Sequence, residues 1–153
     1  MLTNNWGRML ANEFGIRATS GMKGIAINGR EEDYMAFGGQ YGAFRNTRWE
    51  KSKFIIGTGT SKPKPSDYKL EAEIQSGYEC STLTRRVVEV SDKCSVEIIG
   101  IIINTNDVSL TVNEIGWIGS ENDTSVFLFA REVFDTPITL APGETKSFVL
   151  KLF

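Results

Sequence analysis

From residue 70 onward, turn-forming residues interrupt apolar segments roughly every 8–12 residues, a spacing that suits antiparallel strands and leaves little room for helices. Ser91-Asp92-Lys93, Thr105-Asn106-Asp107, Ser120 to Ser125 and Ala141-Pro142-Gly143-Glu144 are the interruptions. Between them the apolar residues alternate. Val108, Leu110 and Val112 fall on one side of a strand, Ser109, Thr111 and Asn113 on the other. Phe148, Leu150 and Leu152 repeat the pattern at the end of the chain. Strands are therefore predicted over 83–90, 94–104, 108–118, 126–134, 137–140 and 145–153. The fold class is mainly β, an antiparallel sandwich or barrel.

The N-terminal third reads differently. Trp6, Met9, Leu10 and Phe14 fall at i, i+3, i+4 and i+8, one stripe of a short helix. Asn4 or Asn5 can cap it and Gly15 can end it. Lys23 to Ile27 is a short strand, Asn28-Gly29 a hairpin turn, and Asp33 to Phe37 the return. Residues 47–56 form another strand. Gly57 to Lys69, with Pro63 and Pro65, is extended and poor in backbone donors. The chain is thus one domain of 153 residues. Residues 1–56 form a helix and hairpin region, 57–69 a Gly/Pro-rich crossover, and 70–153 the sandwich strands.

Composition narrows the chemistry. The chain contains no histidine. That removes Ser-His-Asp and Cys-His catalysis, His-ligated metal sites and the usual neutral-pH proton shuttle. A non-enzymatic protein without metal or cofactor is expected. The net charge of −2 supplies no large basic field, so neither specific nucleic acid nor an anionic membrane is an expected partner. Two cysteines, Cys80 and Cys94, cannot form a tetrahedral zinc site alone. A turn centred on Asp92 sets Cys94 opposite residue 90 and Cys80 opposite residue 104, too far apart for a disulfide. The start of the sequence has no basic, then apolar, leader pattern.

Glu114 is the most informative single residue. Period two puts it on the face of Val108, Leu110 and Val112, where a lone carboxylate is costly. A turn near residue 122 or 123 sets it opposite about residue 131, so a cross-strand Glu114–Arg131 ion pair is predicted. Gly57-Thr58-Gly59-Thr60-Ser61-Lys62 superficially resembles a phosphate loop, but lacks the required spacing and a following helix. The oxygen-rich stretches Glu31-Glu32-Asp33 and Asn104 to Asp107 read as solvated turns, since neither has calcium-loop spacing. Arg85-Arg86 and Lys51/Lys53 do not form a stripe interleaved with aromatics. Trp49, Trp117, Tyr41 and Tyr78 would form a sugar-binding row only if exposed together. A glycan-binding module of a receptor-binding fibre is the alternative reading they support.

Several segments resemble small virion proteins of tailed bacteriophages. They are Phe54-Ile55-Ile56-Gly57-Thr58-Gly59-Thr60, then Pro63, Pro65 and Asp67-Tyr68-Lys69-Leu70, then Val112-Asn113-Glu114-Ile115-Gly116-Trp117. Leu128-Phe129-Ala130-Arg131-Glu132-Val133-Phe134 and Pro137-Ile138-Thr139-Leu140-Ala141-Pro142-Gly143-Glu144 follow in the same order. The resemblance covers residues 50–153. It implies a mainly β fold, an antiparallel, jelly-roll-like β-sandwich with the short N-terminal helix, and a structural subunit in the virion after assembly in the host cytoplasm, placed at the capsid surface or in the tail or neck. The implied partners are copies of itself and other virion proteins. Trp6, Met9, Leu10, Phe14, Tyr34, Phe37, Tyr41 and Phe44 are the expected interface residues, because their apolar side chains have no evident core role.

Overall fold

A computed structural model describes residues 1–5, 23–33, 52–90, 93–120 and 126–152. The protein is mainly β, with antiparallel pairing throughout its named strands. The predicted helix, the return strand beyond residue 33 and the eight expected interface residues lie outside the described residues.

The first strands, β1 (Lys23–Ile25) and β2 (Glu31–Asp33), form a small hairpin. Gly29 sits in its turn at φ 81°, a conformation that costs glycine little. The turn spans 26–30, so the return strand begins at Glu31, two residues before the predicted start. Ala26 N–H donates to Arg30 O and Gly29 N–H to Ala26 O, which closes the loop early.

Two larger sheets follow. The first contains β3 (Lys53–Gly57), β7 (Leu110–Ser120) and β8 (Val126–Leu140), in the order β3-β7-β8. The second is organised around β6 (Lys93–Asn104). One edge of β6 pairs with β4 (Tyr78–Cys80) and then β5 (Thr84–Val90), and the other pairs with β9 (Thr145–Lys151). Phe54, Ile56, Val112, Ile115, Trp117, Phe127 and Phe129 of the first sheet share one core with Ile98, Ile102, Phe148 and Leu150 of the second. Trp117 is fully buried, its ring 5.2 Å from that of Phe129. Burial of each such large side chain stabilises the fold by about 1.5–3 kcal/mol.

The first sheet is covered on its other face too. Ile55, Ile118 and Leu128 pack there against Leu70, with Ile27 and Val126 at the margin. That explains the unbroken Phe54-Ile55-Ile56 run, since a strand buried on both faces has no reason to alternate. The outer edge of β8 is occupied by the first residues of the sequence. Thr3 N–H donates to Phe129 O, Arg131 N–H donates to Met1 O, and Leu2 bridges Ala130. Asn5 Nδ2 donates to Ile25 O and Leu128 O, tying β1 to β8.

Two expectations need correction besides the face given to Glu114. Residues 137–140 are not a separate strand, because β8 runs unbroken to Leu140. Its register slips between Val112↔Ile138 and Glu114↔Val133, so residues 134–137 bulge opposite Asn113. Pro137 sits in that bulge, where the ladder asks for no N–H. The bulge also exchanges the faces of β7. Leu110 and Val112 face the shared core, and beyond the slip Ile115 and Trp117 do so. Glu114 therefore points to the opposite face, away from Val112. The second correction concerns Asn104, read as part of a solvated turn. It is fully buried, and its Nδ2 donates to Val108 O, Leu140 O and Ala141 O at 2.9, 2.9 and 3.1 Å. It joins the β6–β7 and β8–β9 turns.

The two cysteines occupy distant levels of the second sheet. Cys80 pairs with Ile102 and Cys94 with Glu89. Eight residues of extended strand separate those levels, about 26 Å at the usual rise. Cys80 is a free thiol, and burial raises its pKa.

Candidate functional site

The charged constellation sits where the 57–72 segment folds over the outer face of the first sheet. After β3 the chain leaves the sheet at Gly57 and comes back alongside it. Thr58 N–H donates to Ala72 O, Ile74 N–H donates to Ile56 O, and Gly57 bridges Glu73. The segment is a closed loop lying on β7 and β8, with Leu70 as its apolar plug.

Glu114 lies beneath this loop with no exposed surface. Both of its carboxylate oxygens are fully engaged. Oε1 accepts from Gly59 N–H at 3.1 Å and Ala72 N–H at 2.9 Å. Oε2 accepts from Glu71 N–H at 3.2 Å and Arg131 Nε at 2.7 Å. The Gly-Thr-Gly segment thus does cradle an anion, but the anion is the protein's own side chain. A Cβ on Gly57 or on Gly59 would lie 2.5 Å from Glu114 Oε1. Only glycine lets the backbone come that near, a requirement familiar from phosphate-binding loops.

Arg131 completes the cluster. Its register partner is Gly116, two residues from Glu114, so the guanidinium reaches diagonally along one face. The predicted register was off by an even number of residues, which leaves both side chains on the same side of the sheet. Arg131 Nη1 donates to Asp67 Oδ2 at 2.8 Å, and Nη2 lies 3.6 Å from Glu71 Oε2. Burial alone would lower the guanidinium pKa, but the bonds to Asp67 and Glu114 outweigh it and raise it. Asp67 also accepts from Lys64 N–H, and Glu71 from both the N–H and the hydroxyl of Ser61. Those Ser61 bonds hold the Glu71 carboxyl below its ordinary pKa.

The structure brings Glu114 and Arg131 together. Asp67, Glu71, Gly57 and Gly59, which sequence reasoning did not attach to them, belong to the same cluster. The signal available was the density of acids and glycines in a segment that also carries the single apolar Leu70. Arg86 donates to Glu97 at 2.7 Å, with Lys151 3.7 Å away on the other side, so that charge is spent across strands of the second sheet. Of the proposed sugar-binding row, Trp117 is in the core, Tyr78 packs at its margin, and Trp49 and Tyr41 lie outside the described residues. Among the described residues no three acidic or thiol side chains are arranged to hold a metal ion. Comparison with known family models, curated proteins and solved structures finds no match.

Proposed function

We propose that this chain is a non-enzymatic structural subunit, a jelly-roll-like β-sandwich that assembles with copies of itself and with other virion proteins of a tailed bacteriophage. The observation that carries this reading is how Glu114 is used. Among the described residues Glu114 is the most deeply buried carboxylate, and each of its oxygens accepts two hydrogen bonds from the protein. Such a group staples a loop to a sheet and has no lone pair left for a substrate proton. The topology supports the sandwich. The chain passes from β6 to the β7–β8 hairpin in the other sheet, then returns to lie beside β6 as β9.

The outer face of the second sheet fits an assembling subunit. Ile101 and Val149 lie diagonally adjacent there, 40% and 43% exposed. Assembly proceeds by burial of apolar surface repeated through symmetry. Multi-angle light scattering across a range of concentrations tests the reading. A stable symmetric oligomer is expected, a trimer for a decoration role or a larger ring for neck or tail. A monomer at every concentration, with saturable binding to neutral glycans, overturns it in favour of the glycan-binding module.

A further inference from the structure

The loop that covers Glu114 also walls an open pocket of about 360 Å³. Its cationic lining comes from Lys62, Lys64, Lys69 and Arg131, opposed within the wall by Asp67 and Glu71. At the mouth three lysines face two carboxylates, and Arg131 is balanced from beneath by Glu114, so the rim keeps a small positive excess even though the whole chain is slightly acidic. All three lysines are exposed at the mouth. The deepest cation, Arg131, is only 4% exposed, and its Nη2 has no hydrogen-bond acceptor. A buried guanidinium N–H without an acceptor favours any oxyanion that reaches it.

We propose that this pocket binds a sugar-sized organic acid, such as a uronic acid, with the ligand carboxylate directed at Arg131 Nη2. The volume sets the size. At about 30 Å³ per water the pocket holds roughly a dozen waters, too large for a bare phosphate and right for a monosaccharide. The lining sets the chemistry, because Ser61 and Ser66 offer hydroxyls to a polyol and the lysines offer charge. Glu71 occupies the carboxylate's place in the free protein. It stands 3.6 Å from Nη2, beyond hydrogen-bond length, and is 43% exposed and held by Ser61 from the solvent side. Its exchange for a ligand carboxylate leaves the buried Arg131–Glu114 and Arg131–Asp67 bonds intact. This site stands independently of the assembly reading.

Amide chemical-shift titration of the full chain with glucuronate, glucose and inorganic phosphate, at constant ionic strength, tests the proposal. Glucuronate is expected to shift the Ser61, Asp67 and Glu71 amides saturably at millimolar concentration, while glucose leaves them unmoved. Lys62→Ala/Lys69→Ala, at exposed positions, should weaken binding about tenfold with no change in melting temperature. Glu71→Gln should tighten it, whereas Glu73→Gln, an acid outside the pocket wall, should not. Equal shifts with glucose, phosphate binding as tight as glucuronate, or tightening by both glutamine variants alike would overturn the assignment. So would the absence of a saturable shift.

Discussion

At the residue scale the decisive object is one carboxylate with four donors. Removing Arg131 leaves Glu114 buried without its counter-charge, and breaking a buried pair from one side costs about 3–5 kcal/mol. Arg131→Met is therefore expected to lower the thermal midpoint strongly. Adding Glu114→Gln should recover only part of the loss, because the amide NH2 must then face a backbone N–H that the carboxylate had accepted. Thermal melts of the two single variants and the double variant measure the recovery, and none at all would refute the coupling. Gly59→Ala asks the same question from the other side. Its Cβ would meet Glu114 Oε1 at 2.5 Å and Glu71 Cβ at 2.6 Å. Overpacking of this kind costs about 1–3 kcal/mol, read as a lower urea midpoint at unchanged slope. The pair itself was legible although the face assigned to Glu114 was not, because an acid in a mostly apolar strand demands a base wherever it is buried and the following strand carries Arg131 in reach. The cradle was not legible. Gly57 and Gly59 resembled a loop for an external phosphate, and nothing in their spacing says whose anion they hold.

At the scale of elements, the 57–72 loop is fastened by contacts of very different burial. Glu114 holds its underside, and the exposed Ser61–Glu71 latch closes its outer side. The latch is acid-sensitive, and its sign follows from Glu71. The Ser61 hydroxyl and N–H favour the ionised carboxyl, so its folded pKa lies below the unfolded one. The latch contributes fully above the unfolded value and is lost as pH falls through the folded one. Hydrogen exchange at the Ser61 amide, corrected for its intrinsic pH dependence, should lose protection in that acid range. Glu71→Gln should abolish the pH response, while the Ala72 amide, anchored on Glu114, stays protected. Uniform loss at both amides would mean that the loop opens as one unit. The limits of sequence reading also show at this scale. Strand existence followed from turn spacing and alternation, but the faces of β7 did not. Alternation is read along one strand, whereas the bulge at residues 134–137 belongs to its partner and exchanges those faces at Asn113. Asn104 was misread for a related reason, since two of its three carbonyl acceptors, Leu140 O and Ala141 O, belong to a turn distant in sequence.

For the whole molecule, closure of the two sheets buries groups that neither sheet would bury alone, and Tyr78 reports on it. It lies in β4 of the second sheet and packs against the shared core. Burial pushes its phenol pKa up to about 12 from an ordinary value of 10.0. A raised folded pKa means that the associated stability is fully present below the unfolded value and is lost as pH rises through the folded one. The chain is thus expected to lose up to about 3 kcal/mol of stability between these limits, from a total that for a domain of this size is only about 5–15 kcal/mol. Tyr78 should ionise late, seen as a delayed tyrosinate absorbance step. Tyr78→Phe should remove that step and flatten the alkaline fall in melting temperature. If the late step instead coincides with loss of the far-ultraviolet β signal, Tyr78 ionises only after the sheets separate, and closure rather than local burial sets the alkaline limit. A late step with the sheets intact would mean that β4 lifts from the core on its own. That outcome is consistent with its short pairing to β6 over Tyr78 to Cys80, and it would make β4 the least cooperative strand of the second sheet.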